Sequence, residues 1–280
     1  MRLNETAAMK LLCTALCVAT VAGCASHGGT SAPRNVAKRV TVEPHVGLWI
    51  QCSGSGPVVL ADNGLGIPTE AWAGVRRDVR HVTFCAFDRA GVGRSDARRC
   101  RCGTLEHNVE DIHTLIRAAG LKRPVILAGH STGGLDALLY ARTYPFDVDG
   151  LVLVDSPSES APRPPWGLDD GTTRLDFASG LRKLRRAGKL GDLPLIVLNH
   201  GRRTFSTQQA ERSWTRMQRQ LARDSSNTLR VVALDSRHVI QYDQPGLVAA
   251  ALEEAADAFP KDARLRCRPA FLAEHGRCVS

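Results

Sequence analysis

No apolar stretch in this 280-residue chain is long enough to cross a bilayer. The longest, Leu11 to Val21, holds eleven residues, whereas a span needs about twenty. Lying behind Lys10 and ahead of small residues, it reads as the apolar segment of an export signal. Aromatic residues are scarce too, at 5%. None is interleaved with the densest basic group, Leu181 to Lys189, as a base-stacking platform would require. The formal charge of +9 therefore argues for no nucleic-acid partner. The positive residues are spread along the chain, and this one group reads as a solvated or membrane-facing helix surface. Zinc is disfavoured as well, because Cys100 and Cys102 in "RRCRC" lack a second pair of ligands. The glycines of Gly54-Ser55-Gly56 and Gly91-Val92-Gly93 lack the full spacing of a dinucleotide loop and read as turns. There is no internal repeat.

What the chain does have is enough apolar sequence, 43% against 23% charged, for an ordinary globular core. Val21-Ala22-Gly23-Cys24 resembles a bacterial lipoprotein signal. That resemblance implies a signal over residues 1–23, lipidation of Cys24 and a tether over 24–37. It also implies export, with the protein held to a cell membrane or outer membrane and facing the periplasm or the exterior. An ordinary signal cleaved near Ala22 or Ala25 is the alternative. Cysteine usage agrees with export. Setting aside Cys13, Cys17 and Cys24 leaves six, and an even number in an exported chain favours disulfides. Cys267 and Cys278 close a short C-terminal loop and are expected to pair. Cys52 and Cys85 lie in expected strands and can pair across a sheet. Cys100 and Cys102 stand too close in sequence to bond each other easily.

From Val46 onward, strands and helices alternate. Val46 to Cys52, Val58 to Asp62 and Val82 to Phe87 read as strands. Leu105 to Ala119 reads as a helix with Leu105, Val109, Ile112, Leu115 and Ile116 on one face. The branched apolar burst at Val125 is a buried strand, and Thr132 to Tyr144 is a helix stopped by Pro145. Leu151 to Val154, Leu195 to Leu198 and Leu229 to Leu234 are further strands; Thr207 to Ala222 and Leu247 to Phe259 are further helices. This alternation predicts an α/β fold, a mostly parallel central sheet with helices on both faces. It covers residues 38–262, and 263–280 form a disulfide-closed tail. The interruption at 156–192 exceeds an ordinary connection. A small lid is expected there, over the carboxyl ends of the strands, where such sheets bind ligands.

Between the Val125 strand and the Thr132 helix stands Gly129-His130-Ser131-Thr132-Gly133. A helix cap explains a serine, but not a glycine two residues to either side. The pattern fits G-x-S-x-G in the strand–turn–helix setting that this motif demands. There the serine adopts a strained backbone, and a side chain at Gly129 or Gly133 would collide with the neighbouring strand or helix. Gly134 lets the helix pack closer still. Ser131 is therefore a candidate nucleophile.

This segment, together with "FDRAGVGRSD" (Phe87 to Asp96) and "VVLADNGLG" (Val58 to Gly66), resembles the α/β-hydrolase superfamily. The likeness runs from about Val40 to Phe259. It implies a serine nucleophile, a base later in the chain, an acid, and two backbone N–H groups for the oxyanion. Downstream lie His200, His238 and His275. His238 follows the last strand and precedes the closing helix, where the superfamily keeps its base. Many relatives carry the acid after the strand that here reads Leu195 to Leu198, yet Asn199-His200-Gly201-Arg202-Arg203 offers no carboxylate. Asp155, after the strand that follows the Ser131 turn and its helix, occupies a position that some members use. Asp235 lies too near His238 in sequence to orient it. Leu65 and Thr132 are the expected oxyanion-hole donors, with Asn63-Gly64 where relatives often have His-Gly.

Neither a metal nor an organic cofactor is implied. The expected reaction is hydrolysis of a carboxylic ester, or a related acyl bond, through an acyl-enzyme on Ser131. The substrate is expected to be small and partly apolar, given Trp166, Leu168 and Leu175 in the lid, and the enzyme a monomer. Two rivals stand beside this reading. A peptidase similar to proline iminopeptidases needs a carboxylate-lined pocket, for which Glu159, Asp169 and Asp170 are available. A lipoprotein that keeps the fold as a binding module would show no turnover.

Overall fold

The computed structural model describes residues 35–100, 102–161, 174–258 and 263–279. Two antiparallel strands open the fold, β1 (Val36–Glu43) and β2 (Val46–Gly54). β3 (Val58–Asp62), the short helix α1 (Ala73–Asp78) and β4 (Thr83–Phe87) follow. Next come β5 (Cys102–Thr104), α2 (Leu105–Ala118), β6 (Val125–His130), α3 (Thr132–Thr143) and β7 (Val148–Val154). β8 (Arg174–Asp176) and α4 (Phe177–Arg186) precede β9 (Leu195–His200), α5 (Gln208–Leu221) and β10 (Thr228–Ala233). The chain closes with α6 (Ile240–Asp243), α7 (Pro245–Asp257), α8 (Pro269–Ala273) and β11 (Gly276–Val279).

Among the described residues nine strands make one sheet in the order β1-β2-β4-β3-β6-β7-β9-β10-β11. The run from β4 to β10 is parallel, and the flanking strands β1, β2 and β11 are antiparallel. Every residue of β3, β4, β6, β7 and β9 is buried, as expected of strands covered on both faces. Leu105, Ile112, Leu138 and Leu181, from α2, α3 and α4, cover one face. Val75, Leu247 and Leu252, from α1 and α7, cover the other, with Trp72. The α/β architecture with a mostly parallel sheet is thus the observed one.

The sheet runs past the expected limits of 38–262 at both ends. β1 begins at Val36, inside the stretch read as tether, and pairs along its length with β2. Residues 24–34 of that tether, Cys24 among them, and residues 1–23 lie outside the described residues. At the other end the tail is no appendage, because β11 joins β10 as an edge strand. Cys267 and Cys278 are bonded, and so are Cys52 and Cys85, which face each other across β2 and β4. Cys100 is also disulfide-bonded, which removes its thiolate from any zinc set. Within 156–192, α4 and β8 are described, whereas Trp166, Leu168, Asp169 and Asp170 lie outside the described residues. β8 pairs in parallel with β5, away from the main sheet. No described helix is long and apolar enough to cross a membrane.

Candidate active site

β6 delivers the chain to Ser131 and α3 takes it away. Between them Ser131 stands at φ +51°, ψ −122°, a conformation that costs an L-residue energy and persists only when its surroundings hold it. The Ser131 N–H donates to the Val154 carbonyl at 3.0 Å, and the Gly134 N–H donates to the Ser131 carbonyl at 3.0 Å. A Cβ on Gly129 would lie 2.4 Å from the Gly133 carbonyl oxygen, and one on Gly133 would lie 2.7 Å from that of Asn63. The two glycines thus let α3 close down on β6 and on the end of β3.

The Ser131 hydroxyl donates to His238 Nε2 at 3.1 Å, and His238 Nδ1–H donates to Asp155 Oδ2 at 2.7 Å. Asp155 follows β7 directly, at φ +45°, and is fully buried. The structure therefore brings together the three residues singled out from sequence. It also adds partners. Asp155 Oδ1 accepts from the Trp214 indole N–H at 2.9 Å and from the His200 backbone N–H at 3.1 Å. Asp155 Oδ2 accepts a second imidazole, His200 Nδ1–H, at 2.7 Å. His200 Nε2–H in turn donates to Glu211 Oε2 at 2.9 Å.

This geometry sets the charges. Burial works to raise the Asp155 carboxyl, but hydrogen bonds from His200 and His238 outweigh it and hold the group below the usual carboxylate range. Burial works to lower His200, yet Asp155 and then Glu211 push it up to about 9. His200 is thus an imidazolium clamped between two carboxylates. His130, fully buried beside the serine, is pushed the other way. Burial, and then the His238 charge, lower it to about 3, so it stays neutral while its Nε2–H donates to the His238 carbonyl at 3.0 Å.

The expected oxyanion donors flank the serine. A Cβ on Gly64 would lie 3.0 Å from Ser131 Cβ, which places the Gly64–Leu65 turn against the nucleophile. Asn63 Nδ2 donates to the Pro68 carbonyl at 2.9 Å and steadies that turn. Neither the Leu65 nor the Thr132 backbone N–H donates to another described residue. Underneath, Arg89 lies between two buried carboxylates, 2.8 Å from Asp62 Oδ1 and 2.7 Å from Asp136 Oδ2, and donates to Thr132 Oγ1 at 3.2 Å. This network ties the end of β3, the segment after β4 and the first turn of α3 into one block.

Ser131 and His238 open into a cavity of about 590 Å³ whose other walls include Leu135, Phe177, Leu181, Phe205, Trp214 and Met217. No aspartate or glutamate among the described residues lines it. Glu159, a candidate anchor for a substrate amine, instead accepts from Gln220 Nε2 at 2.8 Å. Asp235 pairs with His275 at 2.6 Å and Arg202 at 3.2 Å at the surface and does not touch His238. No cluster of three metal-ligating side chains occurs among the described residues.

His200, passed over in the sequence in favour of His238, joins the site together with Trp214 and Glu211, to which the sequence assigns no role. The signal available was weak: Glu211 and Trp214 stand three apart, on one face of α5, and His200 ends a strand.

The chain is similar to YqjL of Bacillus subtilis (strain 168), 28% identical over 211 residues, which are 71% of this chain and 83% of YqjL. A Mycobacterium bovis relative is 32% identical over 105 residues, but the chain spans only 30% of its length. Among solved structures, the fold is similar to a thioesterase domain from the curacin biosynthetic pathway. That match has a TM-score of 0.63 and 15% identity, and covers 79% of this chain and all of that domain. The family described as the alpha/beta hydrolase fold matches residues 57–228, more than half of the chain, and the chain belongs to it.

Proposed function

We propose that the protein is a serine hydrolase that cleaves a carboxylic ester, or a related acyl bond, of a partly apolar substrate. One observation carries this reading: a hydroxyl on a strained turn, hydrogen-bonded through His238 to a buried carboxylate, faces an apolar cavity. His238 Nε2 takes the Ser131 proton as the oxygen attacks the carbonyl carbon. Asp155 holds the imidazole by its Nδ1–H and stabilises the positive charge that develops. The Leu65 and Thr132 N–H groups receive the oxyanion, and losing one such donor commonly costs about 3 kcal/mol of transition-state stabilisation. His238 returns the proton to the leaving group, and water then frees the acyl group by the same steps. The apolar side chains of the cavity accommodate the acyl portion.

Labelling with a fluorophosphonate probe tests the nucleophile. The wild-type chain is expected to react and Ser131→Ala to remain unlabelled; Ser131-independent or absent labelling favours a binding module. A panel of acyl esters of increasing chain length, set against aminoacyl-proline amides, then tests the reaction class. Faster turnover of the amides would reverse the assignment to esters.

Export belongs to the same reading and is supported by the Cys52–Cys85 and Cys267–Cys278 disulfides; lipidation at Cys24 rests on the resemblance of Val21-Ala22-Gly23-Cys24 to a lipoprotein signal. Cys24→Ser is expected to move the protein from the membrane fraction to the soluble one. An unchanged distribution rejects the anchor.

A further inference from the structure

We propose that the outward faces of α4 and α5 form a docking surface for an anionic lipid bilayer. Residues 177–224 hold eleven lysines and arginines against three carboxylates, Asp192, Glu211 and Asp224. That excess of eight accounts for nearly all of the chain's formal +9, because over the remainder of the chain, taken together, acids and basic residues almost cancel. The even spread suggested by the sequence hides this concentration.

The fold gathers these charges around the apolar cavity. On α5, Arg212, Arg216 and Arg219 recur along one exposed face, with Arg223 one turn beyond; Trp214 and Met217, on the other side, line the cavity. On α4, Phe177 and Leu181 line the same cavity while Arg182, Lys183, Arg185 and Arg186 are exposed. Glu159 joins the two helices, its carbonyl accepting from Arg185 at 2.8 Å and its carboxylate from Gln220 at 2.8 Å. Lys183 has a partner in Glu106 at 3.3 Å. Arg182, Arg186, Arg212, Arg219 and Arg223, by contrast, form no ion pair among the described residues.

Like charges spaced four apart on a helix destabilise it, so folding gives no reason for the arginine stripe. The cations lie on two helix faces and do not converge on a point, which suits an extended surface better than a small anion. Trp214, the aromatic residue between Arg212 and Arg216 in sequence, is buried against the cavity and turned away from the cationic face, where it cannot stack on bases. An anionic head beside an apolar chain is the chemistry that matches a cationic face beside an apolar cavity. The proposal rests on the ester-hydrolase reading only for which chain enters the cavity; the docking stands apart from it.

Cosedimentation of the full chain with phosphatidylcholine vesicles, with and without phosphatidylglycerol, tests it. A lipid anchor inserts into either vesicle, so the difference between them reports the surface alone. At low salt the affinity for anionic vesicles is expected to be at least about tenfold higher, and the advantage to disappear at high salt. Each cation near such a surface is worth about fivefold. Replacing Arg182, Arg186, Arg212 and Arg219 together by Gln is therefore expected to weaken anionic-vesicle binding at least about tenfold. If that variant does not melt cooperatively, Arg216 and Arg223→Gln gives a milder form of the same test. Ser131→Ala is expected to bind vesicles like the wild type, so loss of the catalytic reading leaves docking intact, and Ser131 labelling survives a failure of docking. Equal affinity for neutral and anionic vesicles, or unchanged binding by both arginine variants, overturns the proposal. Displacement from vesicles by a DNA oligonucleotide at equal phosphate concentration overturns it in favour of nucleic acid.

Discussion

His238 and His200 each donate Nδ1–H to the same carboxylate oxygen, Asp155 Oδ2, at 2.7 Å. They differ in what meets the other nitrogen. His238 Nε2 faces the neutral Ser131 hydroxyl at 3.1 Å, in a partly open cavity. His200 Nε2 faces a second carboxylate, Glu211, at 2.9 Å. A proton caught between two carboxylates is held, whereas an imidazole that shares one carboxylate with a hydroxyl can take a proton and return it. One aspartate therefore supports a fixed cation on one side and a cycling base on the other, and the partner at the far nitrogen decides which is which.

Removing the shared carboxylate breaks both sides at once and has the largest expected effect. Asp155→Asn is expected to lower kcat on a short-chain ester by about a thousandfold to ten-thousandfold, through loss of imidazole orientation and charge stabilisation. Turnover near the wild-type rate, in a variant that still melts cooperatively, would remove Asp155 from the reaction.

Breaking the His200 side alone separates stability from chemistry. His200 holds its proton up to about pH 9 in the fold, whereas a free imidazole loses it near 6.5. Its contribution is thus fully present below about pH 6.5 and disappears as the pH rises through 9. Two and a half units correspond to ~3 kcal/mol at most, and the side chain is only 6% exposed, so screening removes little of it. His200→Asn is expected to unfold more easily than the wild type in denaturant at pH 6, with the gap closing by pH 9.5. A gap independent of pH would leave packing, and not charge, as the role of His200.

These two sides of Asp155 were unequally legible in the sequence. Ser131 and Gly129 are readable because their constraint is local: backbone presses on backbone within five residues. Gly133, whose Cβ would meet the Asn63 carbonyl far back in the chain, is readable only through the motif it completes. β3, β4, β6 and β7 are readable because burial on both faces demands unbroken apolar runs. β1 is not. It pairs through its backbone at the sheet edge, and Val40 is its one fully buried side chain, so it leaves almost no apolar pattern. The acid is reached only through the resemblance: the usual position offers Asn199 and His200, and Asp155 stands where some members of the superfamily carry it. Nothing local says that His200 would reach back 45 residues to Asp155. The clamp also needs Glu211 and Trp214 from a helix whose placement only packing determines.

The smallest expected effect tests whether the two sides communicate. Glu211→Gln keeps the shape of the residue facing His200 and removes its charge. Because the Glu211 hydrogen bond and charge help to raise His200, the variant is expected to lose the His200 proton at lower pH. A neutral His200 gives Asp155 only an uncharged Nδ1–H, a weaker bond than an imidazolium makes, so the carboxylate is held less firmly and its grip on His238 loosens. The alkaline limb of kcat/KM should then move to lower pH by up to about one unit, with the neutral-pH kcat within about threefold of wild type. Trp214, whose indole N–H holds the other oxygen of Asp155 at 2.9 Å, keeps the carboxylate in place, so the shift reports charge and not displacement. An alkaline limb unmoved by Glu211→Gln would mean that Ser131 does not sense the His200 proton, and the fixed cation would then serve stability alone.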